Sequence, residues 1–117
     1  MKEIWKDIKG FEGVYQVSNK GRVKRLARTI YNKNGSYNRT VIERILKPRN
    51  RGNGYKAVLL NDKKNYFIHR LVAFAFLENI NECVHHINGI KSDNRLENLE
   101  WTTFSNNTKQ WYEIQGL

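Results

Sequence analysis

The chain has 117 residues, is 39% hydrophobic with three Trp, six Tyr and five Phe, and carries a net charge of +10. That content suits one domain, or two very small lobes sharing a core, and excludes a disordered chain. No run approaches the roughly 20 apolar residues of a membrane helix, and the N-terminal "MKEIWKDIKG" lacks the apolar stretch of a secretory signal. A single cysteine, Cys83, excludes an intramolecular disulfide and a four-cysteine zinc site, so a cytoplasmic setting is expected.

The charge is segregated. Residues 1–70 hold 18 Lys/Arg against 5 Asp/Glu, whereas residues 71–117 hold 3 against 6. A basic part that grips a polyanion, joined to a part with another task, fits that division, and nucleic acid is the natural polyanion.

In chain order, "VYQVS" (14–18) and "RVKRL" (22–26) alternate as strands around the turn "NKG", with Arg22 and Lys24 on one strand face. "LARTIY" (26–31) and "TVIERIL" (40–46) flank Asn34-Gly35, a hairpin-turn signal. "KPRNRGNG" (47–54) reads as an exposed basic loop, and "YKAVLL" (55–60) with "YFIH" (66–69) as a third hairpin. "RLVAFAFLEN" (70–79) reads as a short buried helix, although periodicity does not separate it from a strand. "CVHHI" is a strand, "NGIKSDNR" (88–95) turns, and "LENLEWTT" (96–103) returns. "TFSNNTKQWYEIQGL" (103–117) reads as a terminal helix capped by Thr103 or Ser105. Phe74, Phe76, Leu96, Leu99 and Trp101 are expected in the core. His69 is expected to pack at a strand end, with a phosphate contact as its alternative role.

Two of the three histidines, His85 and His86, stand side by side on a predicted strand. Neighbours on a strand point to opposite faces, so one ring can face a metal while the other faces a water. Hydrolysis of a phosphodiester needs such a base near neutral pH, a partner to hold its second nitrogen, and a cation to offset developing charge. Asn98 starts the returning strand, where it either reaches back across the hairpin or caps a turn. Asn107 falls on the inward side of the terminal helix.

The run "VHHINGIKSDNRLENLEWTTFSNN" resembles the HNH nuclease motif of phage and intron-associated endonucleases. "HRLVAFAF" (69–76) is similar to the segment leading into that motif. "IWKDIKGFEGVYQVSNKGRVKRL" (4–26) resembles the small module that often precedes HNH domains in homing-endonuclease-like proteins. The resemblance implies an α+β fold, a small N-terminal β-hairpin region (1–54) followed by a ββα-metal nuclease domain (55–117). It implies His86 as general base, Asn98 orienting it, and His85 with Asn107 holding one divalent metal ion, Asn106 being one register step from that last role. Mg2+ or Mn2+ is the family expectation. Some members have Asp where His85 stands, and an imidazole ligand suits Mn2+, Ni2+, Co2+ or Zn2+ better than Mg2+.

Double-stranded DNA is the expected partner. "KGRVKRLAR" (20–28) holds five basic residues in nine, including Arg22, Lys24 and Arg25, and Arg49, Arg51 and Lys56 extend the basic surface. Site-specific relatives commonly continue into a helical DNA-binding module, so a smaller footprint is expected here unless the chain dimerises or works with a phage protein partner. The rival readings are a non-catalytic nucleic-acid-binding protein with a decayed or structural metal pocket, and an RNA-directed protein. Ser or Cys triads, a P-loop and a C-x-x-C motif are missing from the sequence.

Overall fold

The computed structural model describes residues 2–31, 33–35 and 38–105. Its first elements are β1 (Trp5–Asp7), β2 (Tyr15–Ser18), β3 (Val23–Arg25), β4 (Arg28–Ile30), β5 (Arg39–Val41) and β6 (Arg44–Ile45). β1, β2, β3 and β6 form one antiparallel sheet in that order, while β4 and β5 pair as a separate arm. Alternation places Tyr15, Val17 and Val23 inward, and all three are buried. The β2–β3 turn is tight because Ser18 Oγ accepts hydrogen bonds from the backbone N–H groups of Lys20 and Arg22, at 3.1 and 3.2 Å.

A second sheet follows, built from β7 (Arg49–Asn50), β8 (Lys56–Leu59) and β9 (Asn65–Phe67). The segment expected as a loop over 47–54 thus contributes an edge strand, because Arg49 and Asn50 pair with Ala57 and Lys56. Its side chains remain exposed, as basic residues on an edge do.

α1 (Ile68–Phe76) begins where β9 ends. Ile68, Leu71 and Val72 recur at helical spacing and are buried with Ala73. Each such side chain contributes roughly 1.5–3 kcal/mol of burial. A nine-residue helix buries one stripe, and two expectations change with it. His69 lies in the first turn of α1 and not at a strand end. Phe74 leaves the stripe and is 50% exposed, stacking edge-on against Trp101 with ring centroids 5.0 Å apart. At the C-terminal end of α1, Lys6 Nζ donates to the Ala75 carbonyl at 3.3 Å, a cation where the helix dipole favours one.

β10 (Cys83–His86) and β11 (Leu99–Thr102), joined through a loop and the 3-10 turn Leu96–Asn98, complete the described chain. The terminal helix is described at residues 104–105, and the rest of that expectation lies outside the described residues. Among the described residues no helix is long and apolar enough to cross a membrane. One hydrophobic cluster joins Ile8, Tyr15, Val17 and Val23 to Val58, Ile68, Val72, Val84 and Leu99, so the core takes side chains from both sides of residue 54.

Because Ile68 is 1% exposed at the centre of that cluster, Ile68→Ala is expected to cost about 2–5 kcal/mol in urea unfolding. Ile42→Ala, at a position 68% exposed, should stay within about 0.5 kcal/mol.

Candidate active site

The register of β10 against β11 sets the two histidines apart. His85 lies opposite Glu100, and His86 opposite Leu99. Val84 and His86 share the face turned to the core, which is why His86 is buried and meets side chains from α1 and from Tyr55, just before β8. Its ring lies 5.0 Å from that of His69 and 6.2 Å from that of Tyr55. His69 in turn contacts Tyr55 and Phe67, at 5.3 and 5.4 Å, so the imidazole sits in a mostly aromatic wall. Lys91 Nζ stands 4.9 Å from the Tyr55 ring on the outer side.

The His86 ring is held by Asn94. Nε2 lies 2.9 Å from Asn94 Oδ1, and Asn94 is itself 6% exposed. Burial pushes the pKa of His86 below the ordinary imidazole value, against the upward pull of that hydrogen bond. The ring is therefore neutral at physiological pH. His69 is pushed down further, to about 3, first by burial, then by the repulsion that protonated His86 would exert on a second imidazolium, and by the Arg70 charge. Its Nδ1 is buried without a hydrogen-bond partner among the described residues.

Asn94 is positioned by a pinned loop. Asn98 Oδ1 accepts from the Asn88 N–H, while Asn98 Nδ2 donates to Asn88 Oδ1 and to the Asp93 carbonyl, each at 2.9 Å. Asn88 Nδ2 donates to Asp93 Oδ2 at 2.9 Å. Arg95 forks onto both oxygens of Asp93 at 2.8 Å, which holds that carboxyl well below the usual carboxylate range. The hydrogen bonds of the Asn98 side chain thus run to the loop, and the side chain on the His86 ring is Asn94. Sequence reasoning singled out Asn98 and missed Asn94. Its signal was faint, one asparagine within a run that reads simply as a turn.

On the other face of the strand pair, His85 Nε2 stands 4.0 Å from Glu100 Oε1. An imidazole nitrogen and a carboxylate oxygen are donors that first-row divalent ions accept, and their separation is within what two ligands about 2.1 Å from one ion allow. The residues present therefore fit a metal at His85, with Glu100 as a donor that the sequence had not suggested. Among the described residues no three His, Cys, Asp or Glu side chains gather as a ready metal site. Asn107 and Asn106 lie outside the described residues.

The expected DNA contacts divide into two groups. Arg22 is paired with Glu3, Lys24 approaches Glu43 at 3.9 Å, and both cations sit over the Trp5 ring. Arg25 donates twice to the Ile42 carbonyl at 3.1 Å, yet it also lines a cleft of about 230 Å³ with Arg44, Lys47 and Arg49. Arg51 is exposed beyond that cleft, and Lys56 is hydrogen-bonded to Asn50.

Two family models match this chain, the NUMOD4 motif over residues 3–71 and HNH endonuclease over residues 66–109. The chain belongs to the NUMOD4-motif family, and the segment that follows that motif matches HNH endonuclease. The resemblance read from the sequence is borne out. An uncharacterized HNH endonuclease of Acanthamoeba polyphaga mimivirus is 43% identical over 117 residues, covering 92% of this chain and 25% of that protein. DNA endonuclease I-HmuI of Bacillus phage SP01 is 39% identical over 104 residues, covering 85% of this chain and 52% of that protein. A solved structure concerning DNA binding and cleavage by the HNH homing endonuclease I-HmuI aligns with a TM-score of 0.75 at 35% identity, over 97% of this chain and 60% of that chain. This chain thus spans between 25% and 60% of the length of these relatives. The two family matches overlap at residues 66–71, where β9 passes into α1.

The buried histidines give stability a pH dependence of definite sign. An unfolded histidine titrates near pH 6.5, whereas folded His69 does so at about 3. As pH falls below 6.5 the unfolded state takes up protons first, so the histidine contribution is intact above that value and lost below it. The urea midpoint is expected to drop between pH 7 and 5, before carboxylates protonate, and His69→Gln should flatten that drop. A level wild-type profile would contradict the neutral, buried state of these rings.

Proposed function

We propose that this chain is a divalent-metal-dependent endonuclease that hydrolyses phosphodiester bonds of duplex DNA, with His86 as general base. The observation that carries this reading is the His86 ring, buried and neutral, held at one nitrogen by Asn94 within a loop tied down by Asn98. A neutral imidazole fixed at one nitrogen accepts a proton at the other, which is the service an attacking water requires. The water then attacks phosphorus in line, the 3′ oxygen departs, and the ends are a 5′-phosphate and a 3′-hydroxyl. Asn98 acts here as a positioning residue, one step removed from the ring.

His85 is the first metal ligand in this reading, with Asn107 from the sequence pattern and Glu100 from its place across the strand pair. When bound, a divalent ion offsets the negative charge that develops on the phosphate and the leaving oxygen. HNH nucleases generally use such an ion. Mg2+ and Mn2+ are the first candidates, and the imidazole donor widens the set to Ni2+, Co2+ and Zn2+.

Arg25, Arg44, Lys47 and Arg49 would receive DNA phosphates, supported by their convergence on one cleft. Arg51 and Lys56 extend that surface. Arg22 and Lys24, already engaged with acidic partners, contribute to the local fold around Trp5 and add to the grip on DNA when Glu3 and Glu43 release them. Encoded by a phage, such an enzyme would work in the host cytoplasm.

The test is nicking of supercoiled plasmid with Mg2+, Mn2+, Ni2+ or EDTA, run beside a DNA-binding assay. Wild type should nick with at least one metal and not with EDTA, and His86→Ala should be slower by about 10²–10⁴-fold while still binding DNA. Binding without metal-dependent cleavage in any condition would favour the non-catalytic reading.

A further inference from the structure

The hydrogen bond on His86 has a second support, and it comes from the other end of the chain. The β2–β3 turn of the N-terminal module packs directly under the loop that carries Asn94. Leu96 N–H donates to the Asn19 carbonyl at 2.8 Å. The Asn19 side chain, 3% exposed, anchors the turn to the N-terminal strand by accepting from Ile4 N–H at 2.8 Å and donating to the Lys2 carbonyl at 3.2 Å. Two residues further, Gly21 adopts φ +82°, and a Cβ placed on it would lie 2.8 Å from the Asn94 carbonyl oxygen and 2.9 Å from Asn94 Cβ. Real Cβ atoms essentially never make contacts that close, and all three opposing atoms are backbone or Cβ, which cannot swing aside.

We infer that the turn Ser18–Gly21 positions the general base. Gly21 and the Asn19 carbonyl fix where Asn94 and Leu96 sit, Asn94 fixes the His86 ring, and the basic N-terminal module is thereby a structural part of the catalytic centre as well as a surface for DNA. Both required properties fall on one residue: Gly21 needs a positive φ and also needs to lack a side chain. Gly10 offers a natural comparison, with φ +87° and nothing within 4 Å of a Cβ built there. An alanine at either position carries similar backbone strain, and the Gly21 variant adds the push on Asn94.

The rate prediction rests on His86 being the general base, while the position of the ring does not, so both are measured. Single-turnover nicking and the DNA concentration for half-maximal rate are compared for wild type, Gly21→Ala and Gly10→Ala at equal folded fraction. The His86 ring and Asn94 side-chain amide signals are followed by NMR in the same proteins. Gly21→Ala should slow nicking on the order of 10²-fold with the half-maximal DNA concentration unchanged, and should shift both sets of signals. Gly10→Ala should do neither. If Gly21→Ala does not fold, Gly21→Asn replaces it, since Asn tolerates positive φ and carries the same Cβ. Equal rates and unmoved His86 signals in the Gly21 and Gly10 variants would overturn the inference. Should wild type cut in no metal, the nuclease reading fails, and the NMR signals decide the positioning claim without it.

Discussion

Two four-residue strands do not hold together in water, so everything at the histidine pair depends on how β10 and β11 pack against α1. Val84 and Leu99 supply that contact by joining Ile68, Leu71 and Val72 in the core. The helix is no more independent than the hairpin. It has nine residues and no side-chain N-cap, well short of the length at which a helix stands by itself. The sheets on its other sides supply the remaining surface, through Val17 and Val23 from the first sheet and Val58 from the second. His86 is thus placed by the whole core, and the N-terminal strands contribute to that core as fully as the motif that contains the histidines.

Within that frame the site is organised by buried amides more than by ion pairs. Asn98 makes three hydrogen bonds at 2.9 Å while 5% exposed, and leaving such a buried polar group unsatisfied costs about 1–3 kcal/mol. The Asp93–Arg95 pair has good fork geometry, but Arg95 is 54% exposed, and pairs of that kind contribute about 0–1 kcal/mol. The amides therefore dominate the energetics of the loop, and the ion pair refines its shape. The same low exposure keeps His86 and His69 neutral, because a buried charge would have to surrender its hydration.

Much of this was legible in the residues. Period-two alternation and the Asn34-Gly35 turn gave the N-terminal hairpins, and the β4–β5 arm flanks that turn as expected. The histidine strand and its return were readable from their apolar pattern and the intervening turn residues. The paths of individual side chains were not. A spacing of twelve residues relates Asn98 to His86 without saying which loop atoms the amide will reach. Asn94 looked like any turn asparagine, because its value comes from contact with Gly21, more than seventy residues earlier in the chain. Phe74 belonged to an apolar run, and only the phase of a short helix shows that it falls on the open side. Arg22 and Lys24 were read as sharing a face and both lie over one ring, yet that ring belongs to β1 and the acids beside them to the segments just before β1 and β6.

Chemical rescue tests the central claim, that the His86 imidazole is the proton acceptor, most directly. His86→Ala opens a space beside Asn94, His69 and Tyr55 of the size of the ring it removes. Added imidazole should restore metal-dependent nicking to that variant in proportion to its concentration, and should leave the wild-type rate unchanged. A folded, DNA-binding His86→Ala protein that stays inactive at every imidazole concentration, or one that nicks as fast as wild type without it, would contradict the account.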